Sequence, residues 1–153
     1  MYMPYTIGEI AKYLNIPSST LRFYDKMGLM PFVDRSESGI RLFKDSDIEW
    51  LLIIDCLKKS GMPVKNIREF IKLVEQGDAS IDKRLEMFQQ QRRHVEETIA
   101  SLEEQLKILK FKCWYYKTAK EAGTTKVPRN MKEDELPEEF RPVRHKLRRL
   151  NEK

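Results

Sequence analysis

The stretch SSTLRFYDKMGL, residues 18–29, determines what the first part of the chain is predicted to be. Hydroxyl residues stand where a helix would be capped, and an arginine followed by two aromatic residues comes within its first two turns. Upstream, Thr6 and Glu9 fit a capping box ahead of apolar residues with helical spacing. Pro17 disfavours helical geometry in the residue before it, so this first helix should end at Asn15. The sequence therefore predicts two short helices joined by a tight turn, a helix-turn-helix.

A small hairpin and two more helices are predicted to follow. Apolar residues at 32–33, 40 and 42–43 flank a polar stretch in which Gly39 supplies an unusual backbone angle. Two helical patterns come next, each bounded by capping residues, prolines or glycines. The predicted boundary residues are Ser18 or Ser19 and Gly28 for the second helix, and Asp45 or Ser46 and Gly61 for the third. In the predicted fourth helix, Pro63 lies in the first turn and Gly77 follows the end.

A single long helix with a narrow apolar stripe is predicted from residue 81 onward. The 4-3 spacing is unbroken over 36 residues, or about 54 Å of helix, and only Arg92 interrupts the apolar seam. One such stripe needs a second, which predicts a homodimer. The alternative, a helix lying along its own domain, would bury a wider stripe and would not keep a 3.5-residue period for so long. The stripe consists of Ile81, Leu85, Phe88, Arg92, Val95, Ile99, Leu102, Leu106, Leu109, Cys113 and Tyr116.

The composition limits the possible partners and the location. The chain has 153 residues, 35% of them charged, and a formal net charge of +5, so an acidic partner is plausible. It has two cysteines and no CxxC motif, which favours reduced thiols in the cytoplasm over a disulfide framework. The N-terminus does not resemble a signal peptide, and no apolar stretch has the length of a membrane span. We expect a cytoplasmic protein without a membrane partner.

The second helix carries the candidate DNA contacts. In a helix-turn-helix this helix enters the major groove, led by its N-terminal residues. Ser18, Ser19 and Arg22 share the exposed part of its first turns, and Arg22 can bond bidentately to a phosphate or to a guanine edge. Phe23 and Tyr24 can contact sugar, a thymine methyl group or phosphate. The alternative for Tyr24 is that it belongs to the inner apolar side of the helix.

The predicted hairpin directly after these helices supports DNA binding. It carries Arg35 and Arg41 on a small ribbon, which is the arrangement of a winged helix-turn-helix. Such a wing would contact the neighbouring DNA backbone or the minor groove. The alternative is an ordinary surface hairpin with two solvated arginines.

These motifs resemble the MerR family of bacterial transcription regulators. The family's central motif stands here as Arg22-Phe23-Tyr24-Asp25 followed by Gly28-Leu29, and its wing motif as Gly39-Ile40-Arg41-Leu42-Phe43. The resemblance covers roughly residues 4–120. It implies a mostly α fold: a winged helix-turn-helix head of four helices and a hairpin at 4–76, then a dimerisation helix at 80–120 in an antiparallel coiled coil. Residues 124–153 would form a polar, basic tail that is either a short helix or disordered.

The resemblance also implies a mechanism and a set of contacts. MerR-type dimers bind near-palindromic promoter DNA between the two RNA polymerase elements. They activate by bending and untwisting that DNA, so deformation energy acts as the switch. The residues that the family pattern implies for DNA contact are Ser18, Ser19, Arg22, Phe23, Tyr24 and Arg41, with Lys58 and Lys65 beside the turn between the third and fourth helices as phosphate contacts.

The sequence says less about which signal the regulator senses than about how it binds DNA. Metal and iron–sulfur sensors of this family need cysteines that the chain lacks, and we expect no metal and no cofactor. Cys56, in IIDCLKKSGM, resembles the single-cysteine branch that responds to aldehydes and thiol-reactive stress. Lys59 should favour its thiolate, while the nearby helix C-terminus should disfavour it. The alternative is that Cys56 packs in the core, and for Cys113, on the seam, packing is the preferred interpretation.

Two questions stay open from the sequence. The aromatic cluster FKCWYY, residues 111–116, is predicted to be the core of an interface, and its alternative is a small apolar effector pocket near Trp114.

No phosphate loop or nucleophile–base pair is present, so we expect no enzyme. Two other functions compete with that of a transcription regulator. One is a structural adaptor with a protein-binding coiled coil, and the other is an architectural DNA binder resembling an excisionase.

Overall fold

Helices form most of the chain between residues 4 and 150, the part that the computed structural model describes. The contacts divide the chain into two compact units, of which the first ends at His94 and the second begins at Val95. Within the described part, no helix is both long and apolar enough to span a membrane. The elements are α1 (Ile7–Leu14), α2 (Ser18–Lys26), β1 (Asp34–Arg35), β2 (Arg41–Leu42), α3 (Asp45–Lys59), α4 (Val64–Glu75), α5 (Ile81–Ala122), α6 (Lys126–Asn130) and α7 (Arg141–Arg149), with short 3₁₀ turns at Gly77–Ser80, Glu133–Glu135 and Glu138–Phe140.

The predicted helix-turn-helix is confirmed, with both ends of α1 as expected. Thr6 Oγ1 accepts from the Glu9 amide at 3.3 Å, and the Glu9 carboxylate accepts from the Thr6 amide at 2.7 Å. Asn15 ends α1 in the left-handed region, with φ of 53°. The start of α2 differs from the prediction, because Pro17 rather than a serine occupies the cap position. Its carbonyl accepts the first helical hydrogen bonds, which leaves the serine hydroxyls free of a capping role.

The wing is an antiparallel hairpin of two very short strands. Asp34 pairs with Leu42, and Arg35 pairs with Arg41. Gly39 turns the chain between them with φ of 83°, a backbone angle that residues with a Cβ rarely adopt. Beyond β2, Phe43 exchanges backbone hydrogen bonds with Tyr5, at 2.9 and 3.0 Å. The hairpin is therefore fastened at its base to the segment just before α1.

The third and fourth helices are present, but the cap of α3 lies one or two residues earlier than predicted, whereas α4 begins later than predicted. Lys44 stands at the cap of α3, where the Asp47 carboxylate accepts from its amide at 2.8 Å. Pro63 stands at the cap of α4 rather than in its first turn. Gly61, with φ of 95°, makes the tight turn between the two helices.

The first unit is held together by one apolar core. Every helix of the helix-turn-helix, the end of the wing and both following helices contribute side chains that are almost completely buried. Burial of this apolar surface is the main favourable contribution to the folding of the unit. The most deeply buried members are Ile10, Leu21, Tyr24, Leu29, Phe43, Leu51, Ile54 and Ile67.

The long helix is confirmed as α5, which has 42 residues. Its predicted stripe stays on the surface of the protomer, with apolar side chains that are 40–61% exposed. The exposed members are Ile81, Leu85, Phe88, Ile99, Leu102, Leu106, Leu109 and Tyr116.

The C-terminal segment folds onto its own part of α5. Phe111 is 4% exposed and packs against Leu136, Phe140 and Val143, three residues that the sequence placed in a polar tail. Trp114 stacks on Phe111, with ring centroids 6.1 Å apart. The preferred prediction for the 111–116 cluster, an interface core, is thus corrected for Phe111, because its partners come from the same chain.

Candidate nucleic-acid interface

The outer face of α2 presents three polar or aromatic side chains to solvent. Ser19, Arg22 and Phe23 are exposed, while Ser18 is half-buried. Among residues 4–150, no hydrogen bond or ion pair engages the Arg22 guanidinium. Its donors are therefore available for an acceptor outside the protomer, such as a phosphate or a guanine edge.

Tyr24 is placed differently from the prediction of a DNA contact. Its ring is 2% exposed, and its hydroxyl donates to Asp55 Oδ1 at 2.9 Å. The pKa of the phenol is raised well above its ordinary value. Burial has the largest effect, followed by the hydrogen bond to Asp55 and then by the charge of Asp55. Lys59 Nζ lies 2.6 Å from the other oxygen of Asp55. Tyr24 is thus a core residue that fixes α2 to α3, and the helical spacing from Leu21 was the signal for this alternative.

Asp25 connects the recognition helix to the wing, a role that sequence reasoning missed. Its Oδ2 accepts from Arg35 Nη2 at 2.9 Å and also from Arg41 Nη2. Arg35 additionally donates to the Gly39 carbonyl at 3.1 Å. One carboxylate therefore holds both strands of the wing beside α2. The acidic residue directly after the Arg-aromatic-Tyr motif was the available signal.

The wing arginines differ in how much surface they offer. The Arg35 side chain is 50% exposed, whereas Arg41 is 23% exposed and sits closer to Asp25. Lys44 at the base of the wing pairs with Asp34 at 2.7 Å. Arg35 can reach a phosphate with its outer donors, while Arg41 serves first to position the wing.

The two lysines predicted to contact phosphates flank the turn between α3 and α4. Lys58 lies in the last turn of α3 and Lys65 in the first turn of α4, and both are exposed. Their neighbour Lys59 is engaged by Asp55. The structure thus brings Lys58 and Lys65 to one end of the helix pair, as the prediction requires.

Cys56 lies on the exposed side of α3, so the alternative of core packing within the protomer is wrong. Lys59 is paired with Asp55, which weakens the expectation that its charge acts on the Cys56 thiol. One turn beyond Cys56, Gln91 of α5 donates to both the carbonyl and the hydroxyl of Ser60, at 3.0 and 2.9 Å. The end of α3 that carries Cys56 is thereby joined to the start of α5. Cys113 is exposed as well.

Comparison with known proteins identifies the family. The family model "MerR HTH family regulatory protein" matches residues 5–73, and the model "MerR, DNA binding" matches residues 48–110. An uncharacterized HTH-type transcriptional regulator of Haemophilus influenzae is 42% identical over 124 residues, covering 81% of this chain and 92% of that protein. The chain belongs to the MerR family. A second relative, the uncharacterized HTH-type transcriptional regulator YyaN of Bacillus subtilis, is 35% identical over 130 residues, covering 76% of this chain and 94% of that protein.

A solved MerR structure shows the same fold with DNA. It is described as HiNmlR, a MerR family regulator lacking the sensor domain, bound to promoter DNA. It is 42% identical, has a TM-score of 0.75, and the match covers 82% of this chain and 99% of that one. This MerR chain is accordingly a DNA-binding transcriptional regulator, and proteins of this family are not enzymes.

Proposed function

We propose that this MerR protein binds a near-palindromic promoter as a homodimer and activates transcription by distorting the DNA between the RNA polymerase elements. The observation that carries the proposal is the exposed, unengaged Arg22 on a helix fixed from behind by Tyr24 and Asp55. A contact group on a rigid helix loses little entropy on binding DNA. The promoter-bound structure of HiNmlR supports the same kind of target for this chain. Since that target is the bacterial chromosome, we place the protein in the cytoplasm.

The dimer is supported by the stripe along α5. Eight apolar side chains at 4-3 spacing stay 40–61% exposed in the protomer, which is the pattern of one strand of a coiled coil. We assign the partner as a second copy of the chain in antiparallel orientation, so that one winged helix-turn-helix lies at each end of the coiled coil. Sedimentation at increasing ionic strength tests this: a dimer that Leu102→Lys converts to monomer supports it, and a monomeric parent protein contradicts it.

The DNA contact is tested by Arg22→Ala. Because the dimer carries two copies of Arg22, the change removes two bidentate contacts to bases and should weaken promoter binding roughly 100- to 10,000-fold. Arg149→Ala is the matched control, because it removes the same charge from an exposed position of α7 outside the proposed interface. Promoter binding by Arg22→Ala at the strength of the control would exclude Arg22 from the interface.

Arg35, Arg41, Lys58 and Lys65 are proposed to contact the backbone, and salt dependence tests them. Each phosphate contact contributes about one unit to the slope of log affinity against log salt. Replacing Lys58 or Lys65 by Gln removes two contacts from the dimer, so it should lower the slope by about 2 and weaken all duplexes alike. An unchanged slope would remove that lysine from the set.

We propose Cys56 as the sensor of thiol-reactive compounds. Its exposure allows the thiol to add across an aldehyde carbonyl, with sulfur bonded to the carbonyl carbon and the proton transferred to oxygen. The hydrogen bond from Gln91 to Ser60 could then transmit a structural change from the modified end of α3 to the dimerisation helix. The sensor role is supported by exposure and by this contact.

In vitro transcription with formaldehyde or methylglyoxal tests the sensor. Activation should occur in the parent and in Cys113→Ser, which is the matched control with the other exposed thiol removed, and not in Cys56→Ser. Equal activation of all three proteins would exclude Cys56. An architectural DNA binder would bend the promoter in every case without raising transcription.

A further inference from the structure

A pocket of about 280 Å³ lies in the second unit, between α5 and the segment that follows it. Its floor is aromatic, formed by Phe111 and Tyr115. Four of its lining residues are cationic, and none of the described ones is acidic. The cationic residues are Lys112, Arg129, Arg144 and Arg148.

Two of these arginines are held in place while keeping donors free. Arg144 Nη1 donates to the Met131 carbonyl at 2.7 Å, and Arg148 Nη2 donates to the Arg129 carbonyl at 2.9 Å. Within residues 4–150 neither guanidinium forms an ion pair. A guanidinium has five N–H donors, so each retains donors in a fixed orientation. Fixed donors lower the entropy lost when an anion binds.

The electrostatics of the pocket favour an added anion. Burial, followed by the charge of Arg148, lowers the pKa of the Arg144 guanidinium, and Glu133 opposes this effect. Four cationic side chains thus line one pocket, with Arg144 half-buried and the other three exposed, and the carboxylate that acts on Arg144, that of Glu133, is not among the lining residues. A bound anion would relieve this repulsion and accept charge-assisted hydrogen bonds.

The floor restricts what kind of anion fits. Phe111 is 4% exposed and packs on Trp114, so the half-buried Tyr115 provides most of the aromatic surface that a ligand could reach. Lys112 Nζ lies 4.7 Å from the ring centroid of Tyr115, which keeps one positive charge over the aromatic floor. The volume is at the low end for ligand pockets, which suits a small molecule.

We propose that this pocket binds a small carboxylate with an aromatic or short aliphatic body, its carboxylate on the arginines and its body against Tyr115. The chemistry differs from the apolar effector that the sequence allowed near Trp114, because the aromatic floor is surrounded by cations. Both matching family models end before Phe111, so the site lies outside the part of the chain that they describe. Binding stands independently of the proposed function, and only an effect of the ligand on transcription rests on it.

The test uses the indole N–H resonances of the full-length protein. Trp114 reports on the pocket through its stacking on Phe111, and Trp50, the other tryptophan, belongs to the core of the first unit and is an internal control. The probes are benzoate, phenylacetate and succinate, with benzamide as the uncharged analogue of benzoate. We expect at least one carboxylate to shift the Trp114 resonance saturably while Trp50 stays in place and benzamide gives no shift.

Variants separate the pocket from general attraction of anions. Arg148→Gln should weaken binding about tenfold, the loss of one charge-assisted contact, and Arg149→Gln, outside the lining, should leave it unchanged. If the free Arg148→Gln protein already has a displaced Trp114 resonance, Lys112→Gln takes its place. Three results overturn the proposal: no saturable shift with any of the three carboxylates, an equal shift with inorganic phosphate, or displacement of the carboxylate by duplex DNA of arbitrary sequence. The last result would assign the arginines to nucleic acid.

Discussion

The two units of the chain differ in how their cores are built. In the first, fifteen of the described side chains are buried in one cluster that draws on α1 to α4 and the wing. In the second, four are buried, around Phe111. The larger core also contains a polar link, Tyr24 to Asp55 to Lys59, that fixes the angle between helices. Positioning contact groups on DNA requires such rigidity, whereas a small core that opens at low free-energy cost suits a segment that responds to a ligand.

The largest expected effect is the loss of stability when a residue of the first core is truncated. Phe43 is completely buried at the end of the wing, so Phe43→Ala should cost about 3–5 kcal/mol. This is a large part of the stability of a typical domain, and promoter binding should be lost with it. Urea unfolding followed by the Trp50 resonance measures the change.

The matched control for this variant is Ile40→Ala, also in the wing. Ile40 is 58% exposed, and its truncation should cost less than about 1 kcal/mol. Similar midpoints for the two variants would show that Phe43 does not connect the wing to the core.

A substitution in the second core should unfold that core and leave the first one folded. Phe140 lies 5.8 Å from Phe111 and 5.6 Å from Trp114, measured between ring centroids. Phe140→Ala should cost about 3 kcal/mol, enough to detach α7 from so small a cluster. The Trp114 resonance should move to the position of a solvated indole while Trp50 keeps its own. Leu150→Ala, at an exposed position, is the control, and loss of the Trp50 signal in Phe140→Ala would show that the two cores unfold together.

The sequence predicted the first unit far better than the second. Capping residues, helical spacing and the glycine of the wing are local signals, and they located α1 to α4 and the hairpin. The caps at Pro17, Lys44 and Pro63 were misplaced because a backbone carbonyl can start a helix without a side-chain cap. Tyr24 was ambiguous because its motif suggests DNA contact while its spacing from Leu21 suggests the core.

The second unit depends on contacts that no local pattern reveals. Leu136, Phe140 and Val143 are isolated apolar residues in a strongly polar segment, so composition alone indicated a tail. Their burial follows from Phe111, which lies two residues from both Leu109 and Cys113 and therefore faces away from the predicted stripe of α5. The bonds of Asp25 to both wing arginines were hidden for the same reason, since they join residues 10 and 16 positions apart.

The smallest expected effect sharpens the role of the polar link in the first core. Tyr24→Phe removes the hydroxyl and leaves the buried Asp55 with one acceptor unsatisfied, which should cost about 1–3 kcal/mol near neutral pH. The cost should depend on pH. The pKa of Tyr24 is raised in the folded protein, whereas in the unfolded chain the phenol ionises near its ordinary value of about 10.

The sign of this dependence distinguishes a buried phenol from an exposed one. Below pH 10 the stabilisation by Tyr24 is fully present. Above it, the unfolded chain loses the proton that the folded protein keeps, so the parent loses stability by up to about 1.4 kcal/mol per pH unit while Tyr24→Phe lacks this contribution. Other lysines and tyrosines titrate in both proteins and cancel in the difference. The stability gap between the two should therefore narrow from pH 9 to pH 11 in parallel urea titrations. A constant gap would mean that Tyr24 ionises as readily in the folded protein as in the unfolded chain, and would return it to the DNA-facing surface.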